Sequence, residues 1–249
     1  MELKQHYENY TAEDQAVWKI LFERQIKILP GAATSEFMKG IPKVAFTAEA
    51  IPDFEATNKL LQGLTGWSLA AVPGIVNDEL FFDLMSNRRF PATTWLRKMS
   101  QLDYLEEPDM FHDVFAHVPL LSNQLFADFL QSLSRIGQPY VGNPYAIELL
   151  SRIYWYSVEF GLIRENGALR IYGAGILSSA GETAYCLSDK PMHLPYSVAA
   201  ILDTPYRKDT FQDTYFMIES YEQLYDSLPE ITALLATKVG NFEASNKIL

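Results

Sequence analysis

Apolar residues recur at helical spacing through three long stretches of the chain, and this periodicity limits the fold more than any other feature. The stretches cover about residues 109–136, 144–160 and 211–227. Apolar positions three and four residues apart share one face of an α-helix, so each stretch predicts a helix with one buried side. Because 48% of the 249 residues are apolar, the chain can also build a sizeable core. We therefore predict a mainly α fold.

Local signals predict shorter elements around these helices. Thr11 and Asp14 match a capping box, so a helix begins there and ends at Pro30-Gly31. Asn166-Gly167 is a hairpin-type turn between two short strands. The other expectations are a helix from near Pro52 to Gly66, a short strand at 67–72, a helix at 78–85 and an extended segment at 92–96. Since no repeat or linker is found, we expect one domain over residues 1–249, with a core of about 10–228.

Charge and cysteine content exclude several classes of protein. A formal net charge of −11 argues against binding to a nucleic acid backbone or to an anionic membrane surface. A single cysteine, Cys186, permits no intrachain disulfide, which fits a reducing compartment. The N-terminus has no apolar signal core, and no stretch approaches the roughly 20 apolar residues of a membrane span. We expect a soluble cytoplasmic protein.

Two histidines stand close together in the most informative stretch, EPDMFHDVFAHVPLL at 107–121. Five residues of straight α-helix turn His117 about 140° away from His112, so a regular helix would separate the two side chains. Pro108-Asp109 is a helix-start signal, with Asp109 as the expected N-cap, and Pro119 should kink the helix further on. We therefore expect His112 in a loose first turn and His117 one turn deeper.

A carboxylate in an apolar stretch is the third candidate ligand. Glu159 lies in IYWYSVEFGL at 153–162, where an isolated buried charge is costly unless a cation compensates it. Arg152 is one candidate partner, and a metal ion is the other. Two histidines and one carboxylate form the facial ligand set of non-haem Fe(II) oxygenases, which leaves positions open for O₂.

Two rival interpretations stay open on these residues alone. The same ligand types suit catalytic zinc, although zinc hydrolases favour HExxH, whose histidines are four apart with a Glu after the first. The second rival is a non-catalytic helical binding module in which both histidines are ordinary core residues. Such a module would not bind iron.

Three ordered blocks carry a resemblance to a known family. EPDMFHDVFAHVPLL, WYSVEFGL at 155–162 and YGAGILSSAGE at 172–182 resemble the catalytic domain of the pterin-dependent aromatic amino acid hydroxylases, most closely the bacterial-type phenylalanine 4-hydroxylases. The resemblance covers roughly Tyr10 to Leu228. It implies a single aromatic amino acid hydroxylase-like catalytic domain, mainly α with a few short β-strands, and neither a regulatory nor a tetramerisation domain.

The resemblance implies a metal site and an adjoining amino acid site. The iron ligands would be His112, His117 and Glu159. Arg97 and Asp109 match positions that anchor the amino acid substrate, and a planar guanidinium suits a two-point grip on a carboxylate. Ser178 matches a residue near that carboxylate, and Trp155 matches a residue that contacts the substrate ring.

It also implies a pterin site beside the iron. Phe81 matches the aromatic residue on which the pterin ring stacks, and Val76 would border the same ring. Glu107 and Glu182 match acidic positions beside the pterin and the iron. Glu182 and Trp155 are therefore the expected catalytic residues, in addition to the iron ligands.

Three positions depart from the family pattern. Ala116 stands where Gly is usual, which adds a methyl group to the iron-binding helix. Ala180 replaces a residue that is commonly a large aromatic, which suggests more room near the site. Lys208 is unusual in a stretch where relatives differ in substrate preference, and we expect its charge to point to solvent.

The implied reaction converts L-phenylalanine to L-tyrosine with O₂ and a tetrahydropterin, tetrahydrobiopterin or a related one, at a mononuclear Fe(II) site. Phenylalanine catabolism is the expected setting. Tryptophan hydroxylation within the same family is the alternative reaction, ahead of a zinc hydrolase. Because the tail after Leu228 has no sustained heptad pattern, we expect a monomer that binds no nucleic acid and no membrane.

Overall fold

Helices dominate the computed structural model, which describes residues 3–103, 105 and 107–246. None of the described helices is long and apolar enough to cross a bilayer. The α-helices are α1 (Ala12–Ile28), α2 (Ser35–Lys43), α3 (Phe54–Leu64), α4 (Asp78–Ser86), α5 (Val118–Leu121), α6 (Gln124–Gly137), α7 (Pro144–Tyr154), α8 (Ala174–Leu177), α9 (Ala180–Cys186), α10 (Val198–Asp203), α11 (Tyr221–Asp226) and α12 (Leu228–Asn246). Short 3₁₀-helices lie at Tyr7–Asn9, Met99–Gln101 and Gln138–Tyr140, and π-helices at Phe111–Ala116 and Trp155–Glu159.

Two small sheets complete the fold. The strands are β1 (Ser68–Val72), β2 (Arg89–Thr93), β3 (Leu162–Glu165), β4 (Ala168–Ile171), β5 (Met192–Pro195) and β6 (Thr214–Ile218). β1 and β2 pair in parallel. The second sheet has the order β4-β3-β6-β5, antiparallel between β3 and β4 and parallel in its other two pairs. The mainly α architecture with a few short strands is as expected.

The local turn and capping signals are confirmed. The Thr11 side chain accepts a hydrogen bond from the Asp14 amide, and the Asp14 carboxylate accepts one from the Thr11 amide at 2.7 Å. Asn166 and Gly167 both have positive φ, at 53° and 77°, as a type I′ hairpin turn requires. These signals act over three or four residues, so no distant contact overrides them.

The predicted helix at 211–227 is wrong. Thr214–Ile218 is instead strand β6, paired with both β3 and β5, and only Tyr221–Asp226 is helical in that stretch. Its residues, TYFMI, are aromatic or β-branched except for Met217, and two distant strands supply its backbone partners. The chain then continues as α12, so ordered helix extends well past residue 228.

The bounds of several other helices and strands also differ from the predicted ones. The pattern at 109–136 is divided into a π-helix, α5 and α6, and its break lies at Asn123, whose side chain caps α6. Pro119 lies in the first turn of α5, where proline is tolerated, and not at a kink inside a long helix. Helix α2 was not predicted. Asp53 caps α3, so Pro52 precedes that helix, and the extended segment begins earlier, as β2.

A cluster of buried aromatic rings supports the first π-helix from behind. Phe111 and Phe115 stack on each other with ring centres 4.6 Å apart. Trp18 and Phe22 of α1 pack on these two rings edge-on, at 5.5 Å and 5.3 Å, and Phe37 of α2 packs on Phe115 at 5.9 Å. Such pairs contribute beyond their buried area, so α1 and α2 fix the position of the histidine-bearing segment.

Two glycines give a matched test of this packing. A Cβ on Gly40 of α2 would collide with the Pro119 backbone, whereas no described atom lies within 4 Å of a Cβ on Gly63 of α3. Gly40→Ala should lower the free energy of unfolding by about 1–3 kcal/mol through overpacking. Gly63→Ala should raise it by about 0.5–1 kcal/mol, since alanine is the better helix former. Urea unfolding measures both, and equal stability of the two variants would contradict the close α2–α5 contact.

Candidate active site

A π-helix brings His112 and His117 together. In this helix the backbone bonds run from residue i to residue i+5, so side chains five apart lie one turn apart on one face. His112 lies in the π-helix and His117 is the residue that ends it. Their Nε2 atoms are 3.2 Å apart. The expected convergence is present, but a wider helical turn produces it and not a loose first turn.

A second π-helix positions Glu159. The Phe160 amide donates to the Trp155 carbonyl at 2.8 Å, which is an i to i+5 bond that closes this wider turn. The Glu159 carboxylate lies 3.5 Å from His112 Nε2 and 3.3 Å from His117 Nε2. Arg152, the alternative partner, instead pairs with Glu148 at 3.2 Å.

The three side chains fit a metal ion. One ligand atom from each of His112, His117 and Glu159 lies within 4.8 Å of the others. Metal–nitrogen bonds of about 2.1 Å that meet at right angles place their ligand atoms about 3.0 Å apart. The observed separations of 3.2, 3.3 and 3.5 Å are close to this, so three adjacent corners of a coordination sphere can be filled with small shifts.

Ser178 fixes the tautomer of His112. The Ser178 hydroxyl donates its proton to the Ala174 carbonyl at 3.0 Å, so it can only accept at its 2.9 Å contact with His112 Nδ1. The imidazole proton is therefore on Nδ1, and the Nε2 lone pair faces Glu159 and His117. Burial also lowers the pKa of His112, which favours the neutral form that a metal ligand needs.

Arg97 and Asp109 form a buried pair beside the histidines. Arg97 Nε and Nη2 donate to the two carboxylate oxygens of Asp109, each at 2.9 Å, and Asp109 also accepts from the His112 amide at 3.2 Å. Burial raises the pKa of Asp109, but the bonds and charge of Arg97 lower it by more, so the net shift is downward. Among the described residues, the Nη1–Nη2 edge of Arg97 has a single further contact, 3.4 Å from Nη1 to the Leu102 carbonyl, and is left for another acceptor.

Arg97, His112, Glu159 and Ser178 line a cavity of about 790 Å³, while His117 and Asp109 lie behind them. That volume is in the range of small-molecule sites, which run to about 1,000 Å³. Its wall is largely apolar and aromatic, with charged groups at a few points. Among the residues that the sequence analysis places in or near the site, those in the lining are Phe81, Arg97, Glu107, His112, Trp155, Glu159, Ser178, Ala180 and Lys208. Pro108 and Phe160 line the cavity as well.

Val76 and Glu182 are missing from the described residues that line the cavity. Val76 packs in a small separate cluster beside Ala70 and Val72, while its neighbour Ile75 reaches the cavity. The carboxylate of Glu182 is buried and accepts from the Tyr215 hydroxyl and, at 3.2 Å, from the Gln212 amide. Glu182 thus lies outside the described cavity lining, with its carboxylate bonded to Gln212 and Tyr215, and its expected catalytic role stays a prediction.

Several lining or supporting residues were not found from the sequence. Arg24 lines the cavity and pairs with Asp103 at 2.7 Å. Tyr206 packs on Trp155 with ring centres 4.6 Å apart, and the Trp155 indole donates to Gln212. Arg24 lies on α1 and Gln212 on the loop before β6, outside the matching blocks, so no local pattern marks them. Tyr206 adjoins Lys208 in the stretch where relatives differ in substrate preference, but its contact with Trp155 was not expected.

Lys208 lies at the edge of the cavity and beside Tyr206, and the sequence predicted neither contact. Its side chain is exposed, as expected, yet it borders the cavity. Its ammonium lies 5.8 Å from the centre of the Tyr206 ring, within the range of a cation–π contact.

Several known proteins are similar to this chain in sequence and in fold. A family model described as biopterin-dependent aromatic amino acid hydroxylase matches residues 5–242. A phenylalanine-4-hydroxylase of Chromobacterium violaceum is 50% identical over 226 residues, which are 90% of this chain and 76% of that protein. A crystal structure of the enzyme from that organism with iron(III) and 7,8-dihydrobiopterin is similar with a TM-score of 0.91 at 47% identity, covering 96% of this chain and 86% of that one. Its structure with iron and phenylalanine has a TM-score of 0.87 at 45% identity, covering 94% and 87%.

Replacing Ser178 tests the orientation of His112. Ser178→Ala removes the acceptor for Nδ1–H, so metal affinity should fall about 10- to 100-fold, as for other partners of metal-bound histidines. Ser188→Ala is the matched control, since that hydroxyl also donates to a backbone carbonyl, that of Tyr185. Titration with Fe(II) or Co(II) measures both. Unchanged affinity in Ser178→Ala would show that this bond does not orient the ligand.

Proposed function

The chain belongs to the biopterin-dependent aromatic amino acid hydroxylase family, and we propose that it hydroxylates L-phenylalanine to L-tyrosine with O₂ and a tetrahydropterin at an iron site. The observation that carries this proposal is the convergence of two imidazoles and one carboxylate at the wall of a cavity large enough for two ring-shaped reactants.

His112, His117 and Glu159 are the proposed iron ligands. The donor set is that of a facial non-haem iron site, and it leaves further positions for small ligands. When bound, iron and tetrahydropterin supply the oxygen chemistry that amino acid side chains lack. The protein's part is to hold the ligands in their neutral and anionic forms. The pKa of Glu159 is raised by burial but lowered by more by the two nearby imidazoles, so the net shift is downward and favours the carboxylate.

Arg97 is the proposed anchor for the amino acid carboxylate. Asp109 holds the Nε–Nη2 side of the guanidinium, and this bond directs the remaining edge toward the cavity. A charge-assisted bond there would orient the substrate with its ring toward Trp155, Phe160 and Pro108. Ser178 lines the cavity, and its hydroxyl also orients His112 through the contact with Nδ1. The apolar walls exclude water from the reacting groups.

Phe81 is the proposed stacking partner of the pterin. Its ring lines the cavity and is braced edge-on by Phe82 at 5.5 Å and Tyr154 at 5.7 Å, so one face is held in a fixed orientation. Glu107, which is exposed and borders the same cavity, is the proposed acidic contact of the pterin. Val76 would border the pterin only through the backbone of its loop, because its side chain packs against Ala70 and Val72.

Tryptophan is a second candidate substrate because of one observation. Ala180 lies in the cavity lining, where a small side chain leaves more room than the large aromatic residue that is common in relatives. Tyrosine is also expected to bind. It differs from phenylalanine only by a hydroxyl group, and an apolar pocket discriminates weakly against such an addition.

An assay for hydroxylated product tests the proposed function. With Fe(II), tetrahydropterin and phenylalanine supplied together, the chain should form tyrosine, and His117→Ala should form none because one ligand is lost. His6→Ala, an exposed histidine, is the matched control. With equal phenylalanine, tyrosine and tryptophan, kcat/KM should be highest for phenylalanine. A higher value for tryptophan would overturn the substrate assignment, and full activity in His117→Ala would overturn the ligand assignment.

Removing the Phe81 ring should separate the two substrate sites. A stacking contact contributes about 0.5–1.5 kcal/mol beyond area burial, so Phe81→Ala should raise the pterin KM several-fold to about tenfold. The phenylalanine KM should change much less. Steady-state kinetics with each substrate varied in turn decide this. An unchanged pterin KM would exclude Phe81 from the pterin site.

We further propose a monomer that acts in the cytoplasm in phenylalanine catabolism. Most of the apolar face of α12 is covered within the chain, since Ile231, Leu235 and Val239 are buried and Phe242, which is 43% exposed, stacks on Tyr145 at 4.2 Å. Light scattering at micromolar concentration should give the mass of one chain, 28.3 kDa. A stable tetramer would refute the monomer and leave the reaction untouched.

A further inference from the structure

We propose that Gln212 is a positioning residue for the substrate ring, acting through the indole of Trp155, and that Glu182 in turn holds Gln212 in place. The proposal rests on the proposed function, since it assigns a role to residues around the same cavity. Its basis is a continuous set of hydrogen bonds from β6 to the second π-helix, formed by Tyr215, Glu182, Gln212 and Trp155.

The side-chain amide of Gln212 has one orientation that satisfies its neighbours. Its Oε1 accepts from the Trp155 indole Nε1–H at 3.0 Å, and its Nε2 donates to the carbonyls of Arg207 and Thr210 at 2.8 and 3.3 Å. A flipped amide would place its N–H groups opposite the indole N–H and its oxygen opposite the Arg207 and Thr210 carbonyls, so these hydrogen bonds would be lost. Since Gln212 is only 4% exposed, water cannot readily replace these bonds.

The loop between α10 and β6 therefore contacts the Trp155 indole through two residues. Tyr206, near the start of the loop, packs on the indole with ring centres 4.6 Å apart and planes 25° apart. Gln212, at its end, holds the indole nitrogen. One contact restrains the plane of the ring and the other restrains its rotation within that plane, so together they define the surface that Trp155 presents to the cavity.

Glu182 anchors the loop from the side away from the cavity. Its Oε1 accepts from the Gln212 backbone amide and from the Tyr215 hydroxyl. A carboxylate that is 4% exposed is costly unless its bonds compensate the lost water, and these two bonds tie α9 to the loop and to β6. This gives Glu182 a defined role that does not require contact with substrate or iron.

Trp155 is also the first residue of the π-helix that ends at Glu159. Its carbonyl accepts the Phe160 amide in the bond that closes the wide turn. An indole that rotates away from Gln212 would loosen the wall against which the substrate ring rests. A displacement of about 1 Å is enough to reduce productive reaction strongly. Pterin oxidation without amino acid hydroxylation is then the expected consequence.

The test combines Gln212→Leu with kinetics and coupling. The phenylalanine KM should rise about three- to tenfold, the scale of one lost buried hydrogen bond, with the pterin KM within about twofold. Tyrosine formed per tetrahydropterin oxidised should fall. Arg207→Ala is the control from the same loop, because that exposed side chain pairs only with Asp209 among its described bonds. Equal effects on both KM values, or unchanged coupling, would refute the proposal.

A double-mutant cycle separates positioning from a general structural effect. Trp155→Phe keeps an aromatic ring but removes the indole donor, so adding Gln212→Leu should then cost much less than it does alone. Purely additive effects would overturn the proposal. Thermal unfolding of each variant identifies loss of fold.

An NMR measurement that needs no turnover tests the role of Gln212 independently of the proposed function. In ¹⁵N-labelled protein without iron, the Trp155 indole N–H signal, assigned from Trp155→Phe, should shift and exchange faster with solvent in Gln212→Leu. An unchanged signal would refute the positioning role even if tyrosine is formed. Failure of the unsubstituted chain to form tyrosine would instead refute the proposed function.

Discussion

The site depends on the i to i+5 hydrogen bonding of two π-helical turns. A regular α-helix would direct His112 and His117 about 140° apart, whereas the π-helix at Phe111–Ala116 sets their Nε2 atoms 3.2 Å apart. The turn at Trp155–Glu159 closes with the same type of bond and ends on Glu159, whose carboxylate faces both imidazoles. Wide turns are uncommon and often mark functional sites. Here the stacked rings of Phe111 and Phe115 pack behind the first turn and stabilise it.

Buried carboxylates around the cavity are each matched to a specific donor. Asp109 meets the guanidinium of Arg97 and keeps a lowered pKa. Glu182 meets only neutral donors among the described residues, an amide and the Tyr215 hydroxyl, and burial raises its pKa. This difference fits their different places, since the first group orients a cation at the cavity and the second holds a loop behind its wall. Similar residue types in neighbouring motifs thus have distinct physical tasks.

The sequence predicts features whose causes are local and fails where distant contacts decide. The capping box at Thr11 and the Asn166-Gly167 turn depend on a few neighbouring residues, and both are present. Strand β6 was predicted as helix because its partners lie about 20 and 50 residues earlier in the chain. Ligand chemistry singled out His112, His117 and Glu159, which the structure brings together, but the direction of Glu182 depends on how α9 packs, which spacing does not reveal. Gln212 carried no signal, because its role exists only once the loop folds over Trp155.

Locating the metal is the most direct test of the central claim. Crystals of the chain grown with Fe(II) under anaerobic conditions should give one anomalous peak at the iron absorption edge. The account predicts that this peak lies about 2.1 Å from His112 Nε2, His117 Nε2 and one oxygen of Glu159, in the range of such ligand bonds. A peak bound by other residues, or a structure in which these three side chains bind no iron at stoichiometric occupancy, would contradict it.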